Sequence, residues 1–231
     1  MLRCGVRGWC LGWLLSLGVV GVAAQPVCEA GQLPAHIEIA YDAHAQRGRW
    51  FSLAGEVQLL WQREGDARYA LASLLTSAGM QWLAQRSEGL IVTHASPANE
   101  VWLRPQRYSE QRAWRQAQHT QIDWAAGTVV LGDSVQASTQ PGMQDRISAL
   151  MQLSLHFRRQ PDAPTVEFAV ASRSRVARYR FVRHESGPIK LPMGQVEAVR
   201  FERVDDDGDA IEVWLAPAHC ALPVRVRWRD H

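Results

Sequence analysis

The sequence predicts a mostly β protein: an antiparallel meander that forms a curved sheet, half-barrel or barrel, with one amphipathic helix packed on its concave face. Three observations carry the prediction. Apolar and polar residues alternate with a period of two over much of the chain, the pattern of strands with one face on a core and one on water. Glycine-centred turn signals separate these runs at short intervals. A single stretch changes to the helical period. No βαβ alternation occurs, which excludes a parallel nucleotide-binding sheet.

Taken in order, Ile37, Ile39 and Tyr41 alternate with Glu38 and Asp42, and Val57, Leu59 and Trp61 with Gln58 and Gln62. Tyr179 and Phe181 are interleaved with Arg178 and Arg180, and Val199 and Phe201 with Arg200 and Glu202. Ile211, Val213 and Leu215 alternate with Glu212 and Trp214, and Val224, Val226 and Trp228 with Arg225, Arg227 and Arg229. Turns are expected at Arg47-Gly48, Glu64-Gly65-Asp66, Glu88-Gly89, Ala126-Gly127 and Asp207-Gly208. Between Asp145 and about Arg158, apolar residues fall at Ile147, Leu150, Met151 and Leu155, one face of a helix. Asp145 is placed to cap its free N–H groups, and Pro161 and Pro164 prevent its continuation.

Residues 1–24 read as a secretory signal peptide. Arg3 and Arg7 precede an uncharged apolar run from Trp9, which closes on Val22-Ala23-Ala24, so cleavage is expected after Ala24. The run is shorter than the roughly 20 apolar residues of a membrane-spanning helix. Residues 25–32 form an N-terminal extension and 33–231 a single β-rich domain. The expected location is the periplasm, and the mature chain is not an integral membrane protein.

Lys and Arg total 25 against 23 Asp and Glu, and the two arginines of the signal account for the whole surplus. A mature chain without net basicity argues against nucleic acid as a partner. Cys4 and Cys10 leave with the signal, so Cys28 and Cys220 are the remaining pair. In an oxidising compartment such a pair is expected as a disulfide, with two unpaired buried thiols as the alternative. Closing so long a loop contributes at most about 5 kcal/mol in the chain-entropy model.

Three segments carry a family resemblance: Gln144-Asp145-Arg146-Ile147-Ser148, Leu191-Pro192-Met193-Gly194-Gln195-Val196-Glu197-Ala198, and Val213-Trp214-Leu215-Ala216-Pro217 leading into Leu222-Pro223-Val224-Arg225-Val226. With Trp124 in its Ile-Asp-Trp strand, they make the chain, from about Leu33 to Trp228, resemble the exported bacterial proteins grouped as domain of unknown function 3108. The resemblance implies an envelope location and a mostly β fold, and no reaction. Cys220 falls between the halves of the C-terminal motif and departs from the family pattern. In shape, the architecture is similar to the curved half-barrels of periplasmic lipoprotein carriers, an analogy that does not fix function.

No catalytic constellation stands out. There is no Gly-x-Ser-x-Gly elbow, and the eight histidines are scattered without metal-ligand spacing. Asp205-Asp206-Asp207-Gly208-Asp209 lacks the spaced ligands of a calcium loop and reads as a hairpin turn. No cofactor and no metal are expected. Eight of the ten tryptophans follow residue 24, and some fall on the face opposite the aliphatic residues, Trp214 among them. The arginine-rich faces at 178–183 and 225–229 are expected to pair with acidic residues of adjacent strands.

These readings point to a non-enzymatic binder of an apolar or amphiphilic envelope molecule such as a lipid, with Ile147, Leu150, Met151 and Trp214 as its expected lining. A protein-interaction or envelope-assembly factor, holding an envelope protein through a sheet edge, is the alternative.

Overall fold

The computed structural model describes residues 33–47, 51–94, 100–132, 135–204 and 210–229. The signal segment, Cys28, and the expected turns at Gly48 and Gly208 with the 205–209 carboxylate run lie outside the described residues.

The alternating runs form two sheets. The first is an eight-stranded meander: β1 (His36–Arg47), β2 (Phe51–Glu64), β3 (Arg68–Ser77), β4 (Met80–His94), β5 (Glu100–Arg112), β6 (Gln118–Asp123), β7 (Thr128–Leu131) and β8 (Val135–Ser138). The second contains β9 (Gln144–Asp145), β10 (Thr165–Ala171), β11 (Val176–Leu191), β12 (Gly194–Val204), β13 (Ala210–Ala216) and β14 (Leu222–Arg229), with β9 at one edge and β14 at the other. Neighbours are antiparallel except β9, which runs parallel to β10. The described residues thus form a mostly β half-barrel with a single α-helix, α1 (Ser148–Arg159).

The helix lies between the two inner faces. Ile147, Met151 and Leu155 join Leu59, Trp61, Tyr69, Leu71 and Leu103 of the first sheet. Ala149, Leu153 and Phe157 join Phe168, Phe181, Phe201, Val213 and Leu215 of the second. An expected one-sided amphipathic helix is therefore buried on two sides, and Ser148, Gln152 and Ser154 are buried as well. A helix sandwiched between sheets has little solvent face left for its polar residues, so these must find partners inside.

Gln152 shows how. From Val101 to Pro105 the outer edge of β5 has no neighbouring strand in the described sheet, because β6 pairs only with residues 107–110. Side chains take the missing strand's place. Gln152 Oε1 accepts from Leu103 N (2.7 Å) and its Nε2 donates to Val101 O (3.2 Å); Gln144 Nε2 donates to Leu103 O (2.8 Å) and Trp124 Nε1 to Pro105 O (2.7 Å). Each bond satisfies a backbone group that would be costly to bury unpaired.

Two expectations are corrected. The helix opens at Ser148, not Asp145, because Gln144 and Asp145 are taken into the sheet by Val170 and Ala171. Glu88-Gly89 is no turn but a point inside β4, where the register with β5 slips by a residue opposite Pro105 and Arg107. A Cβ on Gly89 would stand 2.3 Å from Arg104 O, so only glycine lets the two backbones approach there.

The sheets approach along their long sides without a continuous ladder among the described residues. Tyr41 on β1 donates its hydroxyl to Pro223 O on β14 (2.6 Å), and burial raises its pKa well above the ordinary range. On the other side Ile122, Val129, Leu131 and Met143 pack with Ala169 and Ala171.

Candidate functional site

The inner face of the first sheet meets the helix in two very different ways. At the helix start it is polar and filled. Asp145 is fully buried; its Oδ1 accepts from the N–H groups of Ile147 (3.0 Å) and Ser148 (2.9 Å), and its Oδ2 from the Ser87 hydroxyl. Ser87 also bonds Tyr69 (3.0 Å), and Ser148 Oγ accepts from Asp145 N (2.9 Å). Asp145 therefore does cap the helix entry, from inside a short strand. Burial pushes its pKa up to about 6, against the pull of the hydrogen bonds from Ser148, Ser87 and Ile147.

Glu110 on β5 lies beside this network and is also buried. Tyr108 donates to its Oε2 (2.9 Å) and Arg112 to its Oε1 (2.8 Å), with Arg146 and Arg173 at 3.6 and 3.5 Å. Burial alone would raise this carboxyl's pKa. Arg146, then the Tyr108 hydroxyl and Arg112, outweigh it and hold the group below the usual range. Gln85 Nε2 donates to the Tyr108 oxygen (2.7 Å). Burial and the Glu110 charge push the Tyr108 hydroxyl far above its ordinary value. Two carboxylates, two tyrosines and two serines converge here, yet every one is committed to a protein partner. The arrangement fixes the helix start to β3, β4 and β5 and buries both carboxylates.

Toward the end of the helix the same face is apolar and hollow. A cleft of about 260 Å³ is lined by Leu33, Trp61, Ile91, Val101, Leu103 and Leu155, with Arg63, Asp66 and Thr93 at its margin. Strand alternation builds its walls. Trp61 and Arg63 project inward from β2, Ile91 and Thr93 from β4, and Val101 and Leu103 from β5. Trp61 stacks on Tyr69 (ring centroids 5.2 Å, 13° between planes) and donates its Nε1–H to Pro34 O (3.0 Å), which holds the segment carrying Leu33 against the opening. Pockets for drug-sized ligands run from about 300 Å³ upward, so this one suits a single aliphatic or aromatic segment.

None of the four residues expected to line a site borders this cleft. Ile147 and Met151 are buried in the core shared with the first sheet, and Leu150 packs against the second-sheet core. Trp214 is buried on the outer face of the second sheet, where the guanidinium groups of Arg225 and Arg227 lie 5.6 and 5.5 Å from its ring. The helical lining comes instead from Leu155, one turn beyond Met151, where the apolar stripe already pointed. The strand residues could not be paired with it in advance, because the strand order that brings Trp61, Ile91 and Leu103 together is not written in any one of their segments.

The outer faces carry the charge mixture expected of them. Arg178 and Arg180 flank Glu167 (3.8 and 3.2 Å), and Arg200 and Arg227 hold the buried Glu212 (2.7 and 3.3 Å). Among the described residues no group of three or more His, Cys, Asp or Glu could hold a metal, and no helix is long and apolar enough to cross a membrane. Cys220 is buried in the same core cluster as Leu33 and Leu222.

Among the described residues these features define a half-barrel of two largely antiparallel sheets wrapped on one helix, with an apolar cleft at the mouth of the first sheet. The chain belongs to the family of proteins of unknown function DUF3108, whose model matches residues 40–230. Among solved structures it is similar to a beta-barrel-like protein of domain of unknown function DUF1849 from Brucella abortus, with 11% identity, 85% of this chain and 91% of that chain covered, and a TM-score of 0.49. No curated protein matches the chain.

Proposed function

We propose that this chain is an exported, non-enzymatic binding protein of the periplasm that takes the apolar segment of an envelope amphiphile into the cleft between the first sheet and the end of α1. One observation carries the reading: the inner face is close-packed around the helix start but hollow at Leu155, where six apolar side chains line about 260 Å³. An apolar cleft open at its margin leaves hydrocarbon surface facing water, and a guest segment that covers it is favoured by the hydrophobic effect. Arg63, Asp66 and Thr93 at the margin offer both charge signs and a hydroxyl to a polar head. Location in the periplasm rests on the basic and apolar leader ending at Ala24.

The proposed Cys28–Cys220 bridge belongs to the same picture. Leu33, five residues beyond Cys28, shares a core cluster with Cys220, and an extended five-residue segment spans about 17 Å. The bridge would tie down the segment that walls the cleft. Peptide mapping of the unreduced mature protein is expected to recover the linked pair.

Native mass spectrometry of protein purified gently from the periplasm tests the binding reading. The expected result is a co-purifying amphiphile that is lost in Leu155→Trp, a variant that fills the cleft while keeping an apolar side chain. A wild-type chain that always emerges empty, and that fails to take up a fluorescent fatty-acid probe, would overturn it.

A further inference from the structure

Among the described residues five large apolar side chains are exposed, and three of them, Met80, Trp114 and Val135, lie at the same end of the first sheet, opposite the cleft. Met80 closes the β3–β4 hairpin, Trp114 sits in the β5–β6 turn, and Val135 opens β8. The turns are knitted together: Ala113 N donates to Trp82 O (2.9 Å), and Gly132 N to His119 O (2.8 Å). Trp114 is the extreme case. The residue is 77% exposed and its φ is +57°, a conformation costly for a bulky residue, while its ring packs edge-to-face with Trp82 at 5.3 Å between centroids. The Trp82 Nε1–H beneath it has no acceptor among the described residues.

Arginine side chains collect toward this end of the first sheet. Arg112, Arg146 and Arg173 converge on the buried carboxylate of Glu110, and with Asp145 beside it three guanidinium charges face two carboxylates. Their side chains are 47, 33 and 38% exposed, so the carboxylate takes their inner edges and the outer edges face solvent. Arg115, also exposed, follows Trp114 directly and is folded back by its N–H to Arg112 O (3.1 Å). A tryptophan with an apolar body and a polar edge, flanked by outward guanidinium groups, matches the boundary of a bilayer whose surface carries phosphate.

We propose that this rim, Trp114 with Arg112, Arg115, Arg146 and Arg173, docks the protein on an anionic phospholipid membrane. Trp114 enters the headgroup boundary with Met80 beside it, and the arginines hold phosphates. Because the cleft opens at the other end, docking and cleft filling are separate events. Docking can hold where the binding reading fails, and the reverse.

Flotation of the mature full-length protein with phosphatidylglycerol vesicles, and with phosphatidylcholine vesicles as the uncharged comparison, tests the proposal. The wild type is expected to float with the anionic vesicles only and to be released by salt. Trp114→Gly, which also relieves the positive φ, and Arg115→Glu are each expected to weaken flotation about fivefold or more with the thermal melt unchanged. The cleft-filled Leu155→Trp variant is expected to float like the wild type. Absence of flotation, equal flotation with both vesicle types, or variants that float as well as the wild type would overturn the proposal. So would a dimer, seen by sedimentation and lost in Trp114→Gly, that forms without any vesicle binding.

Discussion

The two ends of α1 face the same sheet and solve opposite problems. At its start, buried charge and hydroxyls are saturated: Asp145 accepts three hydrogen bonds, and Glu110 is held by a tyrosine and three arginines. At its end, Leu155 and five other apolar residues surround space. The polar end carries the perturbed titrations that usually draw attention to a functional site. Here they accompany complete partnering and no access, and the chemically quiet end is the one with room for a ligand. Shifted pKa values mark burial first, and function only where a cleft reaches them.

The largest expected break in this comparison comes from Glu110→Ala. It leaves three guanidinium groups and a buried tyrosine without their shared acceptor, and chemical denaturation is expected to register a loss of about 3–5 kcal/mol. Truncations along the helix sharpen the contrast. Met151→Ala, in the filled core, is expected to cost about 3–5 kcal/mol, while Leu155→Ala, already beside a void, should fall near 2 kcal/mol, since the added cavity has less packing to lose. Equal costs would mean that the cleft collapses or is lined otherwise.

Asp145 gives the polar end a pH signature. Its folded pKa of about 6 lies above the ordinary 3.8, so between these values the native state binds more protons than the unfolded chain. Stability therefore rises as pH falls from about 7 to about 4, by about 3 kcal/mol at most, and the gain is lost again as pH climbs through 6. Glu110, shifted the other way, works against this below its ordinary value, where its protonation removes the stabilisation of its ion pairs. Melts of Asp145→Asn across this window are expected to show a flatter pH profile than the wild type. The smallest effect on stability belongs to Leu155→Trp: filling the cleft should leave the melt within about 1 kcal/mol while uptake of an apolar probe falls at least tenfold, since volume added to an existing void displaces no neighbour.

Much of the architecture was legible along the chain because strand and helix each impose a period on side-chain burial. Ile211, Val213 and Leu215 announced a strand, and Ile147, Met151 and Leu155 announced a helix. Legibility failed where one local signal has two readings. Gly89 marks a turn or a close strand approach with equal force, and only the Cβ clash with Arg104 O decides. Trp214 alternates with the core residues, which left its partners open, and two arginines of the next strand cover it. Nothing local marks Gln144 or Gln152 as structural, since the backbone groups they satisfy lie on the bare edge of a distant strand, β5.

By itself, the sequence determined the β class, the single helix, the charge-mixed outer faces and the family, because periodicity, turn chemistry and motif are local properties that survive without coordinates. The tertiary structure decided that the strands divide into two sheets, that the helix is buried between them, and that its start is filled while its end is open. Those outcomes depend on which distant segments become neighbours. Packing between residues as far apart in the chain as Leu33, Trp61 and Leu155 is settled by the sum of all the pairings, not by any one stretch.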